Sequence, residues 1–143
     1  MNASTLIDVR ISVEIENQVD LIQYSGRLLK NLGAVEDEYT DAMLERENLF
    51  SSYIGYGFAL PHGTSDSMRF VRQDGLVFVR PKGPIVWHGE TVNAVLALAA
   101  NGNKHMEMLG KLADALQDAS EREWLLKCDS EADIRGFLSG LAS

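Results

Sequence analysis

The sequence predicts an α/β fold in which helices cover a largely buried sheet, and three observations carry this prediction. Apolar residues alternate with polar ones from Val9 to Ile15, which is the two-residue period of a half-exposed strand. Two uninterrupted apolar runs, "GLVFVR" at 75–80 and "AVLALAA" at 94–100, are typical of buried strands. Segments with helical spacing separate these strands, and such interleaving is typical of α/β layers.

The remaining elements follow from local signals. Leucines recur at helical spacing after Asn17, a good N-cap residue, and Gly33 is a plausible stop for this helix. A second helix with acidic residues in its first turn is predicted over 36–48, and a third over 104–117. Ile85 to Trp87 is predicted to be extended, and two capping boxes, Ser120–Glu123 and Ser130–Asp133, each predict the start of a short helix.

Composition limits the possible functions of the chain. Its 143 residues predict one domain, 1–143, because the sequence has no linker, repeat or low-complexity tract. A formal charge of −8 argues against nucleic-acid binding. The single cysteine, Cys128, excludes an internal disulfide and is expected to be structural. The longest apolar run is too short to cross a bilayer, so we expect a cytoplasmic protein that is not embedded in a membrane.

Two polar residues lie on otherwise apolar helix stripes. Arg46 shares the predicted inward face of the second helix with Tyr39 and Met43, where its guanidinium needs a partner. It could instead extend to solvent or pair with a neighbouring acid. His105 begins the apolar stripe of the third predicted helix, whose N-terminus favours a neutral imidazole and attracts anions. It could equally cap the core by bonding to a carbonyl.

His62, in "GYGFALPHGT", has the most restricted backbone of the three histidines. Pro61 fixes one torsion before it, and Gly63 permits a tight turn or a close backbone approach after it. The imidazole is therefore expected at a strand end with one open side, as a nucleophile or ligand requires, although a histidine that merely occupies a turn has the same pattern. His88 has no matching partner in the sequence and is interpreted as a surface residue.

Among the chemistries that use histidine, phosphoryl handling fits these residues best. The histidine spacings match no zinc-ligand signature, and the nucleophile elbow of serine hydrolases is absent from the sequence, so neither a metal nor another cofactor is expected. A histidine nitrogen can attack phosphorus, an arginine fork can hold two phosphate oxygens, and a second imidazole can donate to a third.

Two long segments resemble a known family. "AMLERENLFSSYIGYGFALPHGT" at 42–64 and "LALAANGNKHMEMLGKLADALQD" at 96–118 are similar to signatures of the enzyme IIA domains of the bacterial phosphoenolpyruvate-dependent sugar phosphotransferase system, in its mannitol and fructose branch. The resemblance implies a mixed sheet with helices on both faces. It also implies that His62 is the phosphorylated histidine, and that Arg46 and His105 are the active-site arginine and second histidine.

The resemblance further implies the function and the partners. His62 would accept a phosphoryl group from the phosphorylated histidine-containing carrier protein and pass it to a cysteine of an enzyme IIB domain, for uptake of mannitol or a related sugar. The backbone amides of Gly63 and Thr64 are candidates to cradle the phosphoryl oxygens. An apolar rim of Tyr53, Ile54, Tyr56 and Phe58 could dock the partners, although these residues could also belong to the core.

Two alternatives stay open at this point. One is a regulatory relative from the nitrogen-linked branch, which would be phosphorylated on the same histidine but would act by binding other proteins. The other is a metal-binding or non-phosphorylated interaction module.

Overall fold

A five-stranded mixed sheet forms the centre of the protein in the computed structural model, which describes residues 4–143. Its strands are ordered β1-β4-β7-β3-β2, and β5 and β6 pair separately as a hairpin. The strand bounds are β1 Leu6–Val13, β2 Tyr53–Gly55, β3 Phe58–Ala59, β4 Gly75–Pro81, β5 Ile85–Trp87, β6 Glu90–Val92 and β7 Ala94–Ala99. The first strand therefore begins before the predicted alternation and ends before Ile15.

The sheet combines both strand directions, which the sequence could not decide. β1 pairs with β4 in parallel, and β7 pairs with β3 in parallel, whereas the β4–β7 and β2–β3 pairs are antiparallel. The parallel pairing of β3 and β7 matters for function, because it brings the carboxyl ends of these two strands to the same edge of the sheet.

Helices cover both faces of the sheet, and this confirms the predicted fold class. Val77 and Val79 of β4 pack into a core with helices α1 and α2, whereas Leu76 and Phe78 pack into a second core with α3, α4 and α5. The alternation follows from the two-residue period of a strand. The helix bounds are α1 Gln18–Asn31, α2 Glu38–Leu49, α3 Gly102–Ala115, α4 Ala119–Lys127 and α5 Glu131–Ala142, with a short 3-10 helix at Ser65–Phe70.

Side-chain caps fix the starts of α1 and α5. The side chain of Asn17 accepts a hydrogen bond from the amide of Asp20 at the start of α1, and the side chain of Ser130 accepts one from the amide of Asp133 at the start of α5. Both caps confirm the sequence prediction. Gly33, just beyond α1, has φ +85°, as expected of a residue that ends a helix.

The predicted capping box at Ser120 is wrong. Helix α4 begins at Ala119, and its N-cap is Asp118, whose carboxylate accepts from the amides of Ser120 and Glu121. One carboxylate oxygen satisfies two otherwise unpaired amides, and its charge suits the positive end of the helix dipole. Ser120 is thus already inside the first turn.

None of the helices within residues 4–143 combines the length and apolar character that crossing a bilayer requires.

Candidate phosphoryl-transfer site

Two histidines meet at one edge of the sheet because their strands run in parallel. The loop after β3 carries His62, and the first turn of α3, directly after β7, carries His105. Loops that follow neighbouring parallel strands lie side by side at the carboxyl edge of a sheet. The two rings consequently approach to 5.0 Å between centroids, with an interplanar angle of 78°.

The backbone fixes the tautomer of His62. Its Nδ1 lies 2.7 Å from the carbonyl oxygen of Leu60. A carbonyl oxygen can only accept, so Nδ1 carries the proton and Nε2 carries a lone pair. Nε2 has no hydrogen-bond partner within the described chain and is not buried. The Leu60 carbonyl is the acceptor that the sequence could not name.

The segment that carries His62 is held on both sides by hydrogen bonds. The carbonyl of Pro61 accepts from the amide of Leu98 at 3.0 Å. The amide of Gly63 donates to the hydroxyl oxygen of Tyr39 at 2.9 Å, and that hydroxyl donates to the carbonyl of Leu98 at 2.8 Å. Because Tyr39 is buried, this bridge ties the histidine loop to β7 and to α2 at once.

Gly63 is required by close packing. Its φ does not fall in the left-handed region, but a Cβ at this position would lie 2.6 Å from Cε1 of Tyr39 and would also collide with Oγ of Ser67. The predicted close backbone approach is therefore the correct interpretation of Gly63. Its amide is already bonded to Tyr39 and is not free to hold a phosphoryl oxygen, so of the two predicted cradle amides only that of Thr64 is left as a candidate.

Arg46 lies in the last turn of α2 with its guanidinium partly exposed. Nη1 donates to the carbonyl oxygen of Phe50 at 2.7 Å, and the guanidinium carbon lies 5.6 Å from the centre of the Phe50 ring. Within residues 4–143 Arg46 forms no ion pair, so the alternative of pairing with a neighbouring acid is not observed. One edge of the guanidinium is thus fixed, and its other nitrogens have no acid partner.

His105 is 7% exposed and lies among the apolar residues of its helix stripe. Its Nδ1 is buried and has no hydrogen-bond partner within the described residues. The alternative that His105 caps the core by bonding to a carbonyl is therefore not observed. A buried, unpartnered nitrogen costs free energy.

Burial keeps both imidazoles neutral. The pKa of His62 is lowered mainly by burial and further by the charges of Arg46 and His105, whereas its hydrogen bond to Leu60 and the charge of Glu47 act in the opposite direction. Burial likewise lowers the pKa of His105. Since the ordinary value is 6.5, both rings are uncharged at neutral pH. A neutral His62 with its proton on Nδ1 keeps a free lone pair on Nε2.

The sequence did not identify Tyr39 or Glu47 as site residues. Tyr39 was assigned only to the inward face of its helix, where a buried hydroxyl signals a specific hydrogen-bond partner. Glu47 is 4% exposed and follows Tyr39 and Met43 at four-residue spacing on that face. An acid continuing an apolar stripe is the signal that could have found it.

The other predicted residues lie as follows. Phe58 is fully buried, so of its two predicted possibilities the core is correct and the docking rim is not: β3 lies between β7 and β2, and Phe58 packs into the core under α3, α4 and α5. Ile54 and Tyr56 are exposed, and Tyr53 is partly buried. His88 is exposed, as predicted. No group of three or more metal-binding side chains is found in the described part of the chain.

The comparisons with known proteins show the family to which the chain belongs. The family described as "Phosphoenolpyruvate-dependent sugar phosphotransferase system, EIIA 2" matches residues 5–140, and the chain belongs to this family. Within it, the chain is similar to mannitol-type components. It is 34% identical over 133 residues to the mannitol-specific phosphotransferase enzyme IIA component of Geobacillus stearothermophilus, with 92% of each chain covered. It is 32% identical to the component of the same name from Halalkalibacterium halodurans, with 91% of this chain and 90% of that one covered.

Solved structures give the same result. Enzyme IIA mannitol from Escherichia coli, in its complex with phosphorylated enzyme IIB, has a TM-score of 0.85 and 30% identity, with 93% of this chain and 94% of that chain covered. The crystal structure of the Escherichia coli protein has a TM-score of 0.83 at 30% identity and covers 92% of this chain and 95% of that one. The nitrogen regulatory protein IIA-Ntr from Neisseria meningitidis, at 24% identity and a TM-score of 0.76, shares the fold.

Proposed function

We propose that this protein is a phosphocarrier that accepts a phosphoryl group on Nε2 of His62 and passes it on to a cysteine. The donor would be the phosphorylated histidine-containing carrier protein, and the acceptor an enzyme IIB domain. The observation that carries the proposal is the 2.7 Å contact between Nδ1 of His62 and the Leu60 carbonyl, which leaves Nε2 as the nucleophile. A relative from Escherichia coli forms a complex with phosphorylated enzyme IIB, which supports this choice of acceptor.

The first transfer exchanges one phosphorus–nitrogen bond for another, and the second exchanges a phosphorus–nitrogen bond for a phosphorus–sulfur bond. The lone pair on Nε2 of His62 forms a bond to phosphorus while the bond from phosphorus to the donor's nitrogen breaks, and that nitrogen keeps the electron pair. His62 becomes a cation that the Leu60 carbonyl stabilises through Nδ1–H. In the second transfer a cysteine thiolate attacks phosphorus and the electron pair returns to Nε2. No proton is exchanged in either step, so positioning and charge neutralisation are the main contributions.

Arg46 supplies the charge neutralisation in this proposal, and neutral His105 supplies a hydrogen bond. The free edge of the Arg46 guanidinium can hold phosphoryl oxygens, since Phe50 occupies only Nη1. His105 would carry its proton on Nε2 and donate it to a phosphoryl oxygen. Its buried Nδ1, which has no hydrogen-bond partner, would then be unprotonated. Neither residue has to move a charged partner away before the phosphoryl group arrives.

Apolar side chains around the site suit transient docking. Phe50 and Met106 are 70% and 71% exposed. The Phe50 ring lies 5.6 Å from the guanidinium carbon of Arg46, and Met106 directly follows His105 in the chain. These two side chains would exclude water when a partner presses its own nucleophile against phosphorus. The exposed Tyr56 is not part of this rim, because its ring packs against Arg122, which bonds to the carbonyl at the C-terminal end of α3, far from His105. The pair of Phe50 and Met106 replaces the predicted set, because Phe58 belongs to the core and Tyr56 lies against Arg122.

The sugar served by the relay is proposed to be mannitol or a close relative. The reason is the naming of the curated relatives at 34% and 32% identity, which are mannitol-specific components. The nitrogen-regulatory neighbour shares only the fold and gives no argument for a regulatory function.

Phosphorylation with purified upstream proteins tests the proposal. The protein is incubated with phosphoenolpyruvate and the two general proteins of the system, and its intact mass is measured before and after acid treatment. One acid-labile phosphoryl group is expected on the wild type and none on His62→Ala. Its absence from the wild type, or its presence on His62→Ala, would refute the proposal.

Variants at Arg46 and His105 test their roles separately. Arg46→Ala and His105→Ala are expected to keep the wild-type melting midpoint within a few degrees and to transfer at least about tenfold more slowly. Arg27→Ala, which removes an exposed arginine of α1, is the matched control and should transfer normally. An Arg46 that is purely structural would instead lower the melting midpoint and leave transfer unchanged.

A further inference from the structure

A buried carboxylate lies beside the site and takes no part in the transfer chemistry described above. Glu47 accepts hydrogen bonds from the amide of Ser52 at 2.8 Å and from the Ser52 hydroxyl at 2.6 Å. The indole Nε1 of Trp87, on the β5–β6 hairpin, donates to the same carboxylate at 2.9 Å. Nε2 of His88 lies 3.3 Å away. Such dense coordination fixes the carboxylate in one position.

A continuous series of hydrogen bonds runs from this carboxylate to His62. Glu47 holds Ser52 at two atoms, and the Ser52 carbonyl accepts from the amide of Leu60 at 3.0 Å. The Leu60 carbonyl then accepts Nδ1–H of His62 at 2.7 Å. The amide of Leu60 is therefore anchored on Ser52, and through Ser52 on Glu47. The carbonyl of the same residue selects the tautomer of His62.

The same carboxylate also supports Arg46. The Phe50 carbonyl, which accepts from Nη1 of Arg46, lies two residues before Ser52 in the same short connection between α2 and β2. The Phe50 amide in turn donates to the carbonyl of Arg46 at 3.1 Å. By fixing the far end of this connection at Ser52, Glu47 fixes the acceptor that orients the guanidinium.

We infer that Glu47 is a positioning residue for phosphoryl transfer, which sets the His62 tautomer through Ser52 and Leu60 and the Arg46 orientation through the 50–52 connection. This inference rests on the proposed function, but its structural part, the control of the tautomer, holds independently of any transfer. Trp87, on the hairpin, donates to the same carboxylate oxygen that accepts the Ser52 amide and so ties the carboxylate to the hairpin as well.

Two conservative substitutions separate position from charge. Glu47→Gln removes the charge but keeps the length: its carbonyl oxygen can accept from the Ser52 amide and from Trp87, and its amide group can donate to the Ser52 hydroxyl oxygen. Glu47→Asp keeps the charge but withdraws the carboxylate by one methylene from all its partners. A positioning role predicts that Asp is the more damaging change, whereas a purely electrostatic role predicts that Gln is.

Two measurements on each variant test the inference. The imidazole nitrogen chemical shifts of His62 report its tautomer in the unphosphorylated protein, and the rate of phosphoryl acceptance reports function. Glu47→Asp is expected to lose the single Nδ1–H tautomer and to slow acceptance by about tenfold or more, because small misplacements of reacting groups are costly. Glu47→Gln is expected to lose less. Glu45→Asp, the same change at an exposed position of α2, should leave tautomer and rate as in the wild type.

The contrary results are equally definite. If Glu47→Asp folds and keeps both the tautomer and the rate, or if Glu47→Gln is the more impaired variant, the inference is wrong. Should Glu47→Asp fail to fold, Trp87→Phe, which removes only the indole donor, replaces it with the same expected direction and the same refuting result. If the wild type is never phosphorylated, the proposed function fails, but the tautomer in Glu47→Asp still decides whether Glu47 positions His62.

Discussion

The hydroxyl of Tyr39 is the most sharply testable structural feature of the site. Tyr39 is 2% exposed, and its hydroxyl accepts from the Gly63 amide and donates to the Leu98 carbonyl. Tyr39→Phe would remove one oxygen atom and keep the ring packing. Both backbone groups would then lose a partner in a region where water cannot replace it.

The size of the effect follows from these two groups. A buried amide left without an acceptor costs about 1–3 kcal/mol, and a carbonyl that loses one of its partners costs somewhat less. We therefore expect Tyr39→Phe to lower the free energy of unfolding by about 3 kcal/mol. For a chain of this size that loss corresponds to a fall of roughly 10 °C in the melting midpoint.

Urea unfolding and thermal melting of two matched variants measure this cost. Tyr24→Phe is the control, because Tyr24 is a partly buried tyrosine of α1 whose hydroxyl makes no hydrogen bond within residues 4–143. It should change stability by less than about 0.5 kcal/mol. If Tyr39→Phe is as mild as this control, the hydroxyl bridge does not hold the histidine loop.

The loss of stability at alkaline pH is a second measure of how the Tyr39 hydroxyl contributes to the fold. Burial raises the pKa of Tyr39 from 10.0 to about 12, and the Gly63 hydrogen bond opposes this in part. Between these values the unfolded chain loses the phenol proton and the folded chain keeps it, so stability falls as pH rises. The wild type should lose about 3 kcal/mol over this window because of Tyr39, a component that Tyr39→Phe should lack.

Three further predictions use other positions. Gly63→Ala should destabilise the protein and abolish phosphorylation because its methyl group has no room, whereas Gly136→Ala, in open space on α5, should melt at or above the wild-type temperature. Asp118→Ala should cost about 1 kcal/mol in urea unfolding and Ser120→Ala almost nothing, and equal costs would contradict the cap assignment. Phosphoryl acceptance should fall as the pH decreases, with a midpoint below pH 6.5, because burial lowers the pKa of His62; a midpoint at or above pH 6.5 would contradict a neutral, buried nucleophile.

Much of the fold could be predicted from sequence because its signals are local. The two-residue period of β1, the apolar runs of β4 and β7, and the Asn17 and Ser130 caps each depend on a few adjacent residues. Strand direction was not predictable, because pairing joins segments far apart in the chain. The boundary of α4 was predicted wrongly for a different reason. Asp118 and Ser120 are both suitable N-cap residues two positions apart, and it is the Asp118 carboxylate that caps the helix.

The candidate site was partly predictable for the same reasons. Polar residues on apolar stripes marked Arg46 and His105, and a rigid backbone marked His62. The contacts that organise them join distant positions: Tyr39 bonds to residues 24 and 59 positions away, and Glu47 bonds to Trp87 over 40 positions. The periodicity of the sequence does not reveal such contacts, because they depend on where the β5–β6 hairpin and β7 lie in the folded protein.

In the proposed reaction the two histidines need only one fixed positive charge beside them before a phosphoryl group arrives. Their rings are 5.0 Å apart, so a protonated His105 would repel the positive charge that His62 acquires when it forms its bond to phosphorus. Burial removes this conflict by keeping both rings neutral, which leaves the guanidinium of Arg46 as the fixed cation. In the proposed reaction, His105 offers the phosphoryl group a hydrogen-bond donor and Arg46 offers it a cation. His62 would stay uncharged until the new bond to phosphorus makes it a cation, and the Leu60 carbonyl is already in place to stabilise that charge.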